Sequence, residues 1–249
     1  MSGHSKWATI KRKKAATDQA RGKMFSKYIK EITIAARFGG GDAEANPRLR
    51  SAVLAAKSVN MPAGNIERAI KRGTGEVEGV NYEETQYEGY AHGGVALLVE
   101  IATDNRNRTA GDIRHIFTKY SGAMAEAGSV SYLFKPRGVI TVDKAAISED
   151  ALIEIALEAG ADDVSSEGET FEVLTPPSRF EAVKEALAAK KIPVQGAELT
   201  KIASLQVPVS EKDAGAVIKL VEALEDHDDV QKVYANFIIP DDVLVRLAH

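Results

Sequence analysis

At 249 residues the chain is long enough for two or three modest domains, and 44% hydrophobic with 27% charged residues is ordinary for a globular protein. It has no cysteine, which excludes a disulfide framework, a thiolate metal site and a cysteine nucleophile. The net charge of −4 hides a polarity: residues 1–79 hold 16 Lys and Arg against 7 Asp and Glu, and the remaining 170 hold 16 against 29. A head of +9 on a body of −13 points to a polyanion-binding segment, with nucleic acid the usual polyanion.

The N-terminus reads MSGHSKWATIKRKK, basic but without an apolar run of signal-peptide length. The longest apolar run, residues 95–99, is far too short to span a bilayer, so the expectation is a cytoplasmic protein with no membrane partner. A helix is expected over residues 18–38, capped by Asp18 and closed by Gly39-Gly40-Gly41. At 100° per residue, Phe25, Ile29, Ile32 and Ala36 form one stripe; Lys23, Lys27, Lys30 and Arg37 form the opposite one, with Ile34 among them. A second helix starts at Asn46-Pro47, buries Leu49, Val53 and Ala56, and stops before Pro62. A third short helix turns Ile66 and Ile70 inward and ends at Gly73, and residues 73–81 read as a linker.

Beyond the linker β and α elements alternate. Residues 138–202 scan as strand 139–142, helix 148–159, strand 163–166, strand 170–174, helix 178–190 and strand 198–202, the ferredoxin-like order β-α-β-β-α-β. The flanks supply strand 95–102, helix 106–120 and strand 129–134 before it, and strand 204–209, helix 211–224 and strand 230–235 after it. The expected fold class is therefore α+β multidomain: an all-helical bundle followed by two ferredoxin-like domains, the last inserted into the middle one. The expected boundaries are 1–79 for the head, 80–135 plus 204–249 for the middle domain and 136–203 for the acidic insert.

Local catalytic patterns are absent. The five histidines, His4, His92, His115, His227 and His249, share no metal-ligand spacing, and Glu225-Asp226-His227-Asp228-Asp229 lacks the pattern of a calcium loop and reads as a solvated turn. The glycines at 39–41 lack the lysine of a phosphate-cradling loop, and no Gly-x-Ser-x-Gly elbow occurs. No cofactor is implied, and an enzyme using a cleft between the two α+β domains is the remote alternative. The candidate nucleic-acid contacts are Lys6, Trp7, Lys11, Arg12, Lys13, Lys14, Arg21, Lys23, Lys27, Lys30, Arg37, Arg48, Arg50, Lys57, Arg68, Lys71 and Arg72. Cations of this kind neutralise phosphates and position a protein without reading sequence. Trp7 stacks on a base or anchors the arm, two readings of equal weight. Helix-turn-helix character at 49–72 is weak. Tyr132 and Phe134 alternate on one expected strand, where core packing outweighs base stacking, and Asn105 to Arg108 opens a helix as a polar loop or a phosphate hold.

The stretches GHSKWATIKRKKAATDQARGKMFSKYIKEITIAAR, NPRLRSAVLAAKSVNMPAGNIERAIKRGTG, YEGYAHGGVALLVEIATDNRNRTAGDIRHIFTKYSG, GSVSYLF and VYANF resemble the YebC family. The resemblance covers essentially the whole chain and weakens in the acidic insert. It implies three domains, no catalysis, and a basic head, carried here by Lys6, Trp7, Lys11 to Lys14, Arg21, Lys23, Lys27 and Lys30. Bacterial members carry a DNA-binding label, and a related mitochondrial translational activator implies work at the ribosome. The implied partner is duplex DNA or ribosomal RNA, with the acidic domains engaging the ribosome or another protein.

Overall fold

The structure, a computed structural model, describes residues 18–238. Helix α1 (Asp18–Gly39) is followed by α2 (Pro47–Ser58) and α3 (Ala63–Thr74). Asn46 fixes the start of α2: its side-chain oxygen accepts from the Leu49 N–H at 3.1 Å, and its amide donates to the Ala35 and Gly40 carbonyls. One buried side chain thus caps α2 and ties it to the end of α1. Helix α3 stops at Gly75, left-handed with φ 83°, whose N–H returns to the last carbonyls. At Gly73 a Cβ would stand 2.4 Å from the Thr33 carbonyl oxygen and 2.6 Å from the Ala36 Cβ, so only glycine allows α3 this close to α1. The core of the bundle is built largely from small residues, Ala35, Ala36, Ala52, Ala56 and Ala69, around Ile32, Leu49, Met61 and Ile66.

Two compact units divide the chain. One contains the described residues to Tyr132 and those from Leu205 onward; the other is Leu133–Ser204. In the first, the helical head adjoins a four-stranded sheet of β1 (Glu83–Tyr90), β2 (Ala96–Thr103), β3 (Ala123–Ala125) and β9 (Val230–Ala235), in the order β3-β1-β2-β9 with antiparallel neighbours. Helices α4 (Arg106–Lys119) and α7 (Glu211–Glu225) cover it. Leu97, Val99 and Ile101 of β2 meet Ile113 and Phe117 of α4 and Val217, Leu220, Val221 and Leu224 of α7.

This sheet corrects the expectation of two joined β-α-β halves. Strand β1 has no sequence signal, because EETQYEGY is polar, only half of it is exposed and it carries no apolar alternation. No strand runs over 129–134: residues Ser131–Leu133 form a 3₁₀ turn, and Phe134 opens a strand of the other unit. Of 204–209 only β8 (Val207–Pro208) is a strand, and it pairs in parallel with β10 (Phe237–Ile238), so residues 95–102 and 204–209 do not share a sheet. Pro208 has no N–H to extend that ladder. The four-stranded sheet of the middle region is therefore built as β-β-α-β and then α-β, with β8 and β10 paired outside it, and not in the ferredoxin-like order.

The second unit runs β4 (Phe134–Asp143), α5 (Glu149–Glu158), β5 (Asp163–Glu167), β6 (Thr170–Thr175), α6 (Phe180–Ala189) and β7 (Val194–Ala203). Its sheet order is β5-β6-β4-β7, all antiparallel. Inward residues Ile140, Val142, Phe171 and Val173 pack on Leu152, Val183 and Leu187. The strand β7 begins at residue 194, four earlier than expected, as an exposed edge strand whose polar start hid it. Among the described residues no helix is long and apolar enough to cross a membrane.

Candidate nucleic-acid interface

Helix α1 is buried on two sides, which decides the role of its lysines. The Ile32 and Ala36 side faces the bundle core, while Ile34, among the lysines, is itself only 1% exposed. Lys23, Lys27 and Lys30 reach the end of α7 and the turn that follows it. Lys27 Nζ donates to the Glu225 carbonyl at 2.6 Å, and Lys23 Nζ donates to that of Asp226 at 3.3 Å. Lys30 Nζ donates to the Asp228 carbonyl at 2.9 Å and to Ala102 at 3.4 Å. Helix α7 has no basic residue in its own last turn and carries Glu222 and Glu225 there, against its dipole. Lysines from α1 supply the missing positive charge.

Lys30 also makes the central ion pair, 2.6 Å from Asp229 Oδ1, with side chains 10% and 7% exposed. The other carboxylate oxygen, Oδ2, accepts from Thr109 at 2.7 Å, Arg108 at 2.9 Å and Thr103 at 3.1 Å. Burial alone pushes the Asp229 carboxyl up, but hydrogen bonds from Lys30, Thr109 and Arg108 outweigh it and hold the group well below the usual carboxylate range. Two expectations are corrected here. Lys30 is a buried partner of the middle region and not an exposed phosphate contact. The acidic run at 225–229 is not merely a solvated turn, since its last aspartate is buried and joins the head to α4. The same aspartate explains Arg108, while the Asn105 side chain caps α4 by accepting from the Arg108 N–H. Lys23, Lys30, Tyr82, Asp104, Arg108, Asp112 and Asp226 to Asp229 line a cleft of about 650 Å³ at this junction.

Other head cations are also engaged. Arg37 donates to the Asn81 side chain, and Arg48 forks onto Glu31 and Glu84 with bonds of 2.6–3.1 Å. These bonds fasten the head to the linker and to β1. Arg50 donates to the Glu44 carbonyl, and Lys71 pairs with Glu67 one turn away on the surface. Lys57, Arg68 and Arg72 are exposed with no ion pair among the described residues. Helix α2 contains no acidic residue, and its outward stripe runs Arg50, Leu54, Lys57; on α3 the outward stripe holds Arg68 and Lys71 beside Arg72. The structure thus divides the expected set. Lys6, Trp7, Lys11, Arg12, Lys13 and Lys14 lie outside the described residues, as does the side chain of Arg21. Tyr132 and Phe134 do not alternate on one strand: Tyr132 lies in the 3₁₀ turn and Phe134 is buried at the start of β4.

One buried carboxylate had no sequence signal. Glu88 on β1 accepts from the backbone N–H groups of Gly128, Val130 and Ser131 at 2.6–2.9 Å. Burial raises its carboxyl, but these three donors prevail and lower it. It orders the segment after β3 from inside.

Residues 5–76 match the family model described as the TACO1/YebC protein N-terminal domain, and residues 82–237 match the TACO1/YebC second and third domain. A protein from Desulfatibacillum aliphaticivorans called a probable transcriptional regulatory protein is 57% identical over 98% of this chain and 99% of its own. One from Syntrophobacter fumaroxidans with the same name is 57% identical over the whole of both chains. A crystal structure of a conserved hypothetical protein from Aquifex aeolicus, 50% identical, superposes with a TM-score of 0.81 over 91% of this chain and 94% of that one.

Proposed function

The chain belongs to the TACO1/YebC family, and on that premise we propose that it is a nucleic-acid-binding regulator of gene expression, acting as a DNA-binding transcriptional regulator without catalysis. Its relatives bear the name of probable transcriptional regulatory proteins. The observation that carries the nucleic-acid half is the outer surface of α2 and α3. There Lys57, Arg68 and Arg72 stand exposed without carboxylate partners among the described residues, on a chain whose remainder is strongly acidic. Like charge on the body keeps a polyanion at the head. The basic run Lys11 to Lys14 extends the same cationic segment in sequence. The division into a head to residue 79 and a middle domain interrupted by residues 136–203 is part of the same reading.

The test is a salt series of binding to duplex DNA, structured RNA and ribosomes, with Lys57, Arg68 and Arg72 replaced by glutamine. These side chains hold no ion pair among the described residues, so melting should stay within about 2 °C of wild type. Affinity should fall on every duplex, with a log–log salt slope shallower by about 0.9 for each phosphate no longer neutralised. A specific duplex should retain an advantage of about a thousandfold over random sequence. Co-sedimentation with ribosomes through the same cations, with no preferred duplex, would replace the transcriptional reading with a translational one. An unchanged slope on all three ligands would reduce the surface to a solvated face.

A further inference from the structure

The acidic remainder of the chain contains one basic helix among the described residues. Residues 80–249 hold 16 Lys and Arg, and four of them, Arg106, Arg108, Arg114 and Lys119, fall within the 14 residues of α4, whose single carboxylate is Asp112. Two of the four are engaged inside the fold: Arg108 by Asp104 and Asp229, and Arg106 by the Thr85 hydroxyl, to which it donates at 3.2 Å. Asp112 faces His227, 3.5 Å away. Arg114 and Lys119 are left exposed, and neither holds an ion pair among the described residues. At 100° per residue, Asn107, Gly111, His115 and Thr118 form the outward ridge of the helix, with Arg114 along one side and Lys119 along the other. Glycine is the poorest helix former after proline, and a Cβ at Gly111 would meet nothing within 4 Å, so no packing contact requires it. What it leaves is a low saddle between two cations.

We propose that the outer face of α4 is a second phosphate-binding surface: Arg114 and Lys119 neutralise the backbone of the duplex DNA that the head holds, and Gly111 lets that backbone come close to the helix. This rests on the nucleic-acid reading above and adds a site outside the head. The fold brings the two surfaces together through β1. Arg48 at the start of α2 forks onto Glu84, and Arg106 at the start of α4 bonds Thr85, the next residue. The two helices thus set out from adjacent points on one strand, inside one compact unit, and a continuous polyanion meets both. Elsewhere the carboxylates of the body repel such a ligand, which confines it to the head and to α4. Neither Arg114 nor Lys119 is placed to read a base in this arrangement. The second surface adds affinity and fixes how the duplex lies, without selecting a sequence.

The test is a salt series on a random-sequence DNA duplex and on a structured RNA, with full-length proteins and the melting temperature of each as a control. The proteins are wild type, Arg114→Gln/Lys119→Gln, the charge-keeping Arg114→Lys/Lys119→Arg, Gly111→Leu, and the head variant with Lys57, Arg68 and Arg72 replaced by glutamine. The glutamine pair on α4 should melt within about 3 °C of wild type. Its log–log slope on DNA should be shallower by about 1.8, so that between 50 and 200 mM salt it loses about twelvefold less affinity than wild type. The charge-keeping pair should retain the wild-type slope. Gly111→Leu keeps every charge and improves the helix, so it should melt no lower than wild type yet bind DNA several-fold more weakly at every salt concentration. Wild-type affinity in Gly111→Leu overturns the close approach. An unchanged slope for the α4 glutamine pair, while the head variant loses its own share, overturns the second surface and leaves the reading of the head standing. Unchanged slopes for both variants overturn both. A loss confined to the RNA overturns duplex DNA as the occupant.

Discussion

Replacing Lys30 by methionine keeps the length of the side chain and removes its charge, leaving Asp229 buried without its shortest partner. The Lys30 to Asp229 distance is 2.6 Å, and the two side chains are 10% and 7% exposed. Breaking one side of a buried pair costs about 3–5 kcal/mol, because the abandoned charge is not resolvated. For a domain of this size each kcal/mol is worth about 2–4 °C, so Lys30→Met should lower the melting temperature by roughly 10 °C. Lys23→Gln is the control: its pair with Asp226 is exposed, and such pairs are worth about 0–1 kcal/mol. Calorimetry of Lys30→Met, Asp229→Asn and the double variant completes a cycle in which the double variant should be more stable than the summed losses by over about 1 kcal/mol. A Lys30→Met protein that melts with Lys23→Gln, within about 2 °C of wild type, would show that α1 carries interchangeable surface charges.

Two further expectations concern the rest of the first unit. Glu88 has a depressed carboxyl in the folded state, so its contribution is complete above the ordinary glutamate value and is lost as pH falls through the folded one. The melting deficit of Glu88→Gln should therefore be full at pH 7 and narrow below about pH 4; a deficit independent of pH would refute the backbone-cradled carboxylate. Gly73→Ala and Gly64→Ala form a matched pair on α3: the first drives a Cβ into the Thr33 carbonyl and should cost about 1–3 kcal/mol, whereas the second meets nothing and should gain up to about 1 kcal/mol. Equal and favourable shifts in thermal unfolding would mean that α1 and α3 do not approach each other closely.

What could be read from the sequence depended on whether a signal was local. The three head helices carried theirs in Asn46-Pro47, the glycines at 39–41 and Pro62, and the insert carried its own in alternating strands. The α1 lysines misled for a physical reason: their partners are backbone carbonyls and one aspartate about 200 residues away, and a helical stripe does not say what faces it. Two hints were present, Ile34 inside the cationic stripe and an acidic run at 225–229 of opposite sign. Strand β1 escaped because its pairing with β2 is backbone hydrogen bonding under a polar sequence. Glu88 escaped because its donors are main-chain N–H groups, which no residue type announces.

The antiparallel pairing of β4 with β7 has a consequence for how the chain closes on itself. Strand β2 is among the most apolar segments of the protein, yet its partner β9 emerges from synthesis about 130 residues later. During that interval one edge of β2 is a bare template for another chain. The second unit is translated inside that gap, and its register sets Phe134 opposite Ala203. Once it folds, about 70 residues of tether shrink to the width of a strand pair, and the loop that β9 must close falls by about half, which lowers its closure cost by about 0.6 kcal/mol. A variant that loosens the second unit should therefore slow the closure of β9 on β2, a strand the unit does not contain, by no more than about threefold.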